Sequence, residues 1–115
     1  MKYLVNGLSP NMFDFKNSGK VVVKIDHLDS REFCDSIKDA VSMIGHQSTA
    51  DLINALCDTS FKMNRGSFTS NKGDEIYIIT LSIRLEEGKV LTLDEISQLL
   101  QQDKIRYNTY KKRVI

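Results

Sequence analysis

The sequence predicts an α+β fold, in which a mixed β-sheet of about five strands is flanked by helices. Strand-like and helix-like patterns follow one another in mixed order, and hairpin-like strands come late in the chain. With 115 residues, the chain can bury one hydrophobic core but not two, so residues 1–115 are predicted to form a single domain. Its composition, 41% hydrophobic and 27% charged, is typical of a globular protein.

The amino-terminal part of the chain predicts a strand, a helix start and a second strand. KYLV, residues 2–5, has the pattern of a short strand. Ser9 before Pro10 indicates a helix start, because serine caps free N–H groups and proline fits the first helical position. KVVVKI, residues 20–25, is a continuous β-branched run, which predicts a buried strand.

Two helices are predicted next. Asp29 and Glu32 have the spacing of a capping box. The apolar residues that continue this helix at helical spacing are Phe33, Ile37 and Val41. A second helix is predicted to begin just after His46, with Ser48 as its cap. Its apolar face contains Leu52, Ile53, Leu56 and Cys57.

The second half of the chain supplies most of the predicted sheet. SFKMNRGSF, residues 60–68, predicts a strand, SNKGDE a turn, and EIYIITLSIRL, residues 75–85, a central strand. Thr92 and Glu95 form a capping box for a helix with four apolar residues, Leu93, Ile96, Leu99 and Leu100. KIRYNTYKKRVI, residues 104–115, is predicted to be an edge strand whose lysines oppose edge-to-edge association.

Charge and cysteine usage limit the possible partners. A formal net charge of +1 argues against a protein that coats duplex nucleic acid, so phosphates would be bound by a few arginines in a pocket. The apolar runs are too short for a signal peptide or a membrane span, which predicts a cytoplasmic protein without membrane contact. Cys34 and Cys57 lack C-x-x-C spacing and are predicted to be buried free thiols. Neither histidine has ligand-spaced neighbours, so neither a metal nor another cofactor is expected.

His46 is the first candidate for chemistry. It directly precedes a predicted helix, whose free N–H groups and dipole favour an anion. Ser48 and Thr49 add hydroxyl donors on the same turn, and Gly45 leaves room for a ligand. The alternative is that His46 is a loop residue and Ser48 merely a cap. His27, which lacks such neighbours, is predicted to be a surface residue.

Two arginines and a glutamate extend this candidate site. Arg84 lies near the end of the long apolar strand, where a buried charge must be paired or face a ligand. Arg65 follows the strand-like SFKMN segment in the same way. The two arginines either form a phosphate clamp or pair with Glu86 or Glu87. Glu87, beside a glycine, is otherwise a solvated turn residue.

Polar residues after the first strand complete the set. Asn6, Ser9 and Asn11 can donate and accept hydrogen bonds with nucleobases or sugar hydroxyls, or they are only turn and cap residues. Together, an imidazole, arginines and a glutamate suit phosphodiester cleavage without a metal ion. In such a reaction a histidine protonates the leaving oxygen, an arginine holds the developing charge and an RNA 2′-hydroxyl is the nucleophile.

Three blocks of the sequence match a known pattern: NGLSPN near the start, IGHQSTADLINALCDTSFKMNR in the middle, and RLEEGKVL late. With these blocks the chain resembles the viral anti-CRISPR ring nucleases of type III CRISPR systems, small proteins of archaeal viruses and of bacterial phages or prophages, with uncharacterised bacterial relatives. The resemblance extends from Asn6 to about Ile96, and the long middle block is its most specific part.

The resemblance implies a homodimer that binds cyclic tetra-adenylate at the dimer interface. Such enzymes cleave this second messenger, without a metal, to linear di-adenylate ending in a 2′,3′-cyclic phosphate, which antagonises type III CRISPR signalling. It further implies catalytic roles for three residues: His46 as general acid, Arg84 in charge stabilisation and Glu87 in positioning the 2′-hydroxyl. The implied substrate-binding residues are Asn6, Ser9, Asn11, Arg65, Ser48 and Thr49.

Two other functions remain open from the sequence. A non-catalytic relative would bind a cyclic oligonucleotide as a sponge or sensor, although a binder has no need for the proton donor that His46 provides. A nucleic-acid-binding regulator would use DKIRYNTYKKR with its two tyrosines, but the near-neutral charge favours a solvated strand there.

Overall fold

Five strands form one mixed sheet in the computed structural model, which describes residues 1–15, 19–71, 73–81, 93–101 and 107–114. The strands are β1 (Lys2–Val5), β2 (Val23–Leu28), β3 (Val41–Ser42), β4 (Glu75–Leu81) and β5 (Tyr107–Val114). Their order across the sheet is β2-β5-β4-β1-β3. β1 runs parallel to β3 and β4, whereas β5 is antiparallel to β2 and β4. The predicted α+β fold is therefore confirmed.

Three α-helices cover one face of this sheet. They are α1 (Ser30–Ser36), α2 (Gln47–Cys57) and α3 (Leu93–Gln101), and a short 3₁₀ helix spans Pro10–Met12. The helix-covered core joins sheet residues such as Leu4 and Tyr77 to helix residues such as Phe33, Leu52 and Ile96. The opposite face buries a smaller apolar cluster, Val5, Ile76 and Ile78, packed against Tyr3, Met12, Met43, Phe68 and Tyr110.

Several local sequence signals are confirmed. β1 has the predicted bounds, and β4 is central in the sheet as far as Leu81, beyond which residues 82–85 lie outside the described residues. Ser9 caps the 3₁₀ helix by accepting from the N–H of Asn11 at 3.4 Å. Asp29 caps α1 by accepting from the N–H of Glu32 at 2.8 Å. α3 begins where the pattern predicts it, although Thr92 lies outside the described residues.

Two strand predictions are wrong in position. β2 is not a buried strand: it spans Val23–Leu28 at the edge of the described sheet, and Ile25 is 53% exposed. β5 is not an edge strand, because it pairs on one side with β2 and on the other with β4. A β-branched run shows that a strand forms, but its place in the sheet depends on which distant strands pair with it.

Three local boundaries also differ from the prediction. α1 ends at Ser36, and Val41 instead pairs with Tyr3 in the sheet, because pairing with β1 competes with continuation of the helix. α2 has His46 and not Ser48 as its N-cap. Residues 60–68 form no strand, because the backbone of this segment bonds to side chains of neighbouring elements.

The cysteines are not free thiols. Cys34 and Cys57 form a disulfide that joins α1 to the end of α2, with 5.0 Å between their Cα atoms. Their separation of 23 residues hides this contact in the sequence, because only the packing of α1 against α2 brings the two positions together. The prediction of free thiols is therefore wrong.

Candidate functional site

The candidate site lies at one edge of the sheet, where the parallel strands β1 and β3 end. Asn6 directly follows β1, and the segment from Met43 to His46 follows β3 and leads into α2. The two segments leave the sheet side by side, with the N–H of Met43 donating to the carbonyl of Leu4 at 2.8 Å. In open sheets with parallel strands, the carboxyl ends of the strands are a common place for ligand binding.

Gly45 is held from both sides by side chains. Asn6 Oδ1 accepts a hydrogen bond from the N–H of Gly45 at 3.1 Å. Arg65 Nε donates to the carbonyl oxygen of Gly45 at 2.7 Å. Because Gly45 precedes His46, these contacts fix the backbone that enters the N-cap. The structure thus brings together three of the predicted site residues, Asn6, His46 and Arg65.

His46 is the N-cap residue of α2 by backbone geometry, with φ −134° and ψ 130°. Its carbonyl accepts the first intrahelical bond, from the N–H of Ala50 at 3.2 Å. Its imidazole makes no capping hydrogen bond, and the first turn of α2 contains no acidic side chain. The half-buried imidazole therefore lies beside helix amino-terminal N–H groups that it does not cap, and such groups favour an anion.

Arg65 is exposed and keeps most of its donors available. Within the described part of the chain, the guanidinium makes one hydrogen bond, through Nε to Gly45. Its terminal nitrogens point away from that bond by the geometry of the guanidinium, whose remaining N–H groups form the fork that matches a phosphate. The bond to Gly45 fixes the side chain while it leaves this fork for a ligand.

The hydroxyl residues of the α2 first turn differ in accessibility. Ser48 is half-buried, whereas Thr49 is only 5% exposed and lies on the core side of the helix. Gln47 uses its amide nitrogen to donate to Asp51 Oδ1 at 2.9 Å. Ser48 is thus placed better than Thr49 to reach a ligand at this turn.

The structure does not connect the other predicted site residues to Asn6, His46 and Arg65 within its described ranges. Ser9 and Asn11 make their hydrogen bond to each other, and within the described residues neither bonds to Asn6, His46 or Arg65. Arg84 and Glu87 lie outside the described residues. His27 is exposed on β2, as predicted, with its ring 5.5 Å from that of Tyr110.

Sequence reasoning missed the residues that support Arg65. Asn54 and Asn64 hold the loop between α2 and β4 through their amide groups. A signal was present, since Asn54 interrupts the apolar pattern of α2 and Asn64 directly precedes Arg65. Both asparagines also lie within the middle block that carries the family resemblance.

Two groups with perturbed pKa values, Glu75 and Lys112, lie toward the other end of the sheet, where β4 begins. Hydrogen bonding from the Tyr77 hydroxyl, with Lys111 also nearby, lowers the pKa of Glu75 at the start of β4. Burial lowers the pKa of Lys112 to about 8. The described ranges contain no group of three or more histidine, cysteine or acidic residues that could hold a metal ion. Among the described helices, none is long and apolar enough to cross a membrane.

A family model described as STIV B116-like matches residues 2–109 of this sequence. The chain belongs to the STIV B116-like family. An uncharacterized protein, ORF116, of Acidianus filamentous virus 1 is 40% identical over 106 residues, which cover 90% of this chain and 89% of that protein. The solved structure of B116 of Sulfolobus turreted icosahedral virus superposes with a TM-score of 0.74 at 37% identity, covering 97% of each chain.

A second relative matches a shorter part of the chain. Uncharacterized protein 26 of a Sulfolobus islandicus filamentous virus is 38% identical over 60 residues, which cover 51% of this chain and 51% of that protein. These relatives of the B116-like chain are all proteins of archaeal viruses. The viral part of the sequence-based expectation is thereby supported.

Proposed function

We propose that this B116-like protein is a metal-independent ring nuclease. In this proposal a homodimer binds cyclic tetra-adenylate at its interface and cleaves it to linear di-adenylate with a 2′,3′-cyclic phosphate, which antagonises type III CRISPR signalling. The observation that carries the proposal is the arrangement around Gly45. The His46 imidazole at the start of α2 makes no capping hydrogen bond. Directly before it, Asn6 accepts from the N–H of Gly45 and Arg65 donates to the Gly45 carbonyl.

The proposed reaction uses a nucleophile that belongs to the substrate. The ribose 2′-hydroxyl loses its proton to solvent as its oxygen attacks the adjacent phosphorus, the bond from phosphorus to the 5′-oxygen breaks, and a 2′,3′-cyclic phosphate forms. The departing 5′-oxygen needs a proton, and His46 supplies it as general acid. A half-buried imidazole that makes no capping hydrogen bond is suited to this role, because neither ring nitrogen is used to accept from the N–H groups of the α2 first turn.

Charge on the phosphate would be stabilised from two directions. The free N–H groups of the first turn of α2 favour an anion, and no acidic side chain in that turn opposes it. Arg65 adds a guanidinium whose fork remains available after its bond to Gly45. Among the described residues, Asn6 bonds through its oxygen, which accepts from Gly45, so its amide nitrogen is a further donor for the ligand. Ser48, on the same turn, is half-buried and would add a hydroxyl.

The remaining parts of the proposal rest on the family resemblance. Arg84 in charge stabilisation, Glu87 in positioning the 2′-hydroxyl, and Ser9 and Asn11 in substrate binding are carried over from matching motif positions. A homodimer suits a ring with approximate two-fold symmetry, because an isologous interface presents each site residue twice. Two copies of His46 would then serve two opposite linkages of the ring.

The two histidines provide a matched test of the proposal. Purified protein is incubated with cyclic tetra-adenylate in EDTA, alongside His46→Ala and His27→Ala, and the products are separated chromatographically. We expect the protein and His27→Ala to yield di-adenylate with a cyclic phosphate end, and His46→Ala to lose at least about a hundredfold in rate. An intact ring in every sample would overturn the enzymatic function, and tight binding of that intact ring would instead indicate a sponge.

A further inference from the structure

The loop between α2 and β4 is held by side chains and not by a strand ladder. We use the name Arg65 loop for its residues 59–65. Asn54, inside α2, makes three hydrogen bonds to the start of this loop. Its Oδ1 accepts from the N–H of Phe61 at 2.7 Å and from Thr59 Oγ1 at 2.9 Å, and its Nδ2 donates to the carbonyl of Phe61 at 2.8 Å.

The end of the Arg65 loop is fixed to the chain at β3. The N–H of Asn64 donates to the carbonyl of Ile44 at 2.9 Å, and its side-chain amide donates to the carbonyl of Ser42 at 3.0 Å. Ser42 returns a bond from its hydroxyl to the carbonyl of Lys62 at 2.6 Å. The loop therefore lies along the outer side of β3, next to the segment that leads to Gly45 and His46.

Little apolar packing contributes to this arrangement. Phe61 is half-buried against the core, but residues 62–67 are all exposed. An exposed loop of this kind is ordered mainly by its hydrogen bonds. Two of the anchoring groups are the side-chain amides of Asn54 and Asn64, and Arg65 follows the second anchor directly in the chain.

We propose that Asn54 and Asn64 are positioning residues, which hold the Arg65 loop against β3 so that the Arg65 guanidinium is fixed over the Gly45–His46 peptide. Neither asparagine is expected to touch the reacting atoms. Their effect is to reduce the conformational freedom that a long arginine side chain on an exposed loop would lose on binding a phosphate. The importance of this for substrate binding rests on the proposed ring-nuclease function.

The position of Arg65 can be measured without any ligand. If Asn64 fixes the loop, the Arg65 Nε proton is protected from solvent exchange by its bond to Gly45, and Asn64→Ala removes that protection. Asn64→Ala is preferred to an aspartate because it changes no charge beside an anion site, and the exposed position allows the protein to fold. Asn108→Ala is the matched control, since Asn108 is an exposed asparagine on β5.

We expect exchange of the Arg65 Nε proton, followed by NMR, to become about tenfold faster in Asn64→Ala and to stay unchanged in Asn108→Ala. Asn54→Ala is expected to act in the same direction. Unchanged exchange in Asn64→Ala would overturn the proposal. This result does not depend on any nucleotide, so it decides the positioning role even if cyclic tetra-adenylate proves not to bind.

Binding of cyclic tetra-adenylate supplies the second measurement. We expect Asn64→Ala to weaken binding about tenfold and Arg65→Ala to weaken it at least as much, with no further loss in the double variant. Additive losses would show that Asn64 acts independently of Arg65 and would contradict the positioning role. If the unmodified protein does not bind the ring at all, the proposed function fails, while the exchange measurement still tests the loop.

Discussion

Arg65 donates from Nε to the carbonyl oxygen of Gly45 at 2.7 Å, which connects a cation from the α2–β4 loop to the peptide directly in front of His46. Asn6 holds the N–H of the same glycine from the other side. The candidate acid, His46, and the candidate phosphate-binding residue, Arg65, are therefore both positioned by the backbone of Gly45. A change to this support is expected to affect binding before it affects folding, because Arg65 is exposed.

Arg65→Lys tests the use of the guanidinium fork. A lysine cannot bond to Gly45 and offer a planar fork to a phosphate at the same time. We expect binding of cyclic tetra-adenylate to weaken about tenfold or more, while the free energy of unfolding changes by less than about 0.5 kcal/mol. Calorimetric titration and denaturant unfolding measure the two quantities. Wild-type affinity in the lysine variant would show that only a positive charge is needed.

Gly45→Ala tests whether this glycine leaves space for the ligand. A Cβ at this position would lie 3.7 Å from Asn6 Oδ1 and 4.0 Å from Arg65 Cγ, so the protein itself tolerates it. The backbone there does not require a positive φ. We expect stability to stay the same or to rise by about 0.5 kcal/mol, because the unfolded chain loses freedom.

Ring binding is the discriminating measurement for Gly45→Ala. The added methyl group would stand between the two polar side chains that the ligand is proposed to contact, so we expect affinity to fall about tenfold. Unchanged affinity in a stable variant would mean that the ligand approaches from another direction. Loss of stability would instead indicate a constraint on the backbone that the structure does not show.

Replacement of the disulfide tests how α2 is secured to α1. The bond closes a loop with a sequence separation of 23 residues. Chain-entropy arguments give such a cross-link a stabilisation of about 3 kcal/mol, so Cys34→Ser/Cys57→Ser is expected to lose roughly that amount. Denaturant unfolding of the oxidised protein, the reduced protein and the double variant measures it. Equal midpoints for all three would contradict the prediction.

Burial of the Lys112 ammonium group is expected to lower the stability of the folded protein. Its side chain is 0% exposed, and Nζ lies 3.3 Å from the centroid of the Phe13 ring without a hydrogen-bond partner among the described residues. Burial lowers its pKa from an ordinary value of 10.5 to about 8. Below about pH 8 Lys112 carries its proton in both the folded and the unfolded state, so the folded protein bears the full free-energy cost of the buried charge.

Between about pH 8 and 10.5 the unfolded chain binds more protons than the folded one, so the free energy of unfolding rises with pH. Lys112→Met lacks this rise and is expected to be about 1–2 kcal/mol more stable than the natural sequence at pH 7. Denaturant unfolding across this pH range measures both effects. A parallel pH dependence in the two proteins would show that Lys112 is not the group responsible.

The sequence predicts best where the signal is local. The bounds of β1 and the Asp29 cap follow from short patterns that the structure confirms, and the predicted central position of β4 is confirmed as well. The place of β5 in the sheet and the Cys34–Cys57 bond depend on pairing between distant segments, which no local pattern specifies.

The site was predicted in part for the same reason. His46 could be nominated because a glycine and hydroxyl residues surround it at a helix start, and the structure places it at the α2 N-cap. The contact of Asn6 and Arg65 with one glycine could not be derived from spacing. The β-type composition of residues 60–68 predicts a strand, but the structure has an irregular loop there that presents Arg65. Side-chain hydrogen bonds replace a strand ladder in this loop, and composition does not reveal them.

His46 is proposed to donate a proton to the departing 5′-oxygen, and a modified substrate tests this role most directly. A cyclic tetra-adenylate with sulphur in place of the bridging 5′-oxygens has leaving groups that need no proton. We expect His46→Ala to cleave the natural ring at least about a hundredfold more slowly than the unmodified protein does. On the sulphur-containing ring, the variant and the unmodified protein are expected to have similar rates. An equal defect on both substrates would contradict a general-acid role for His46.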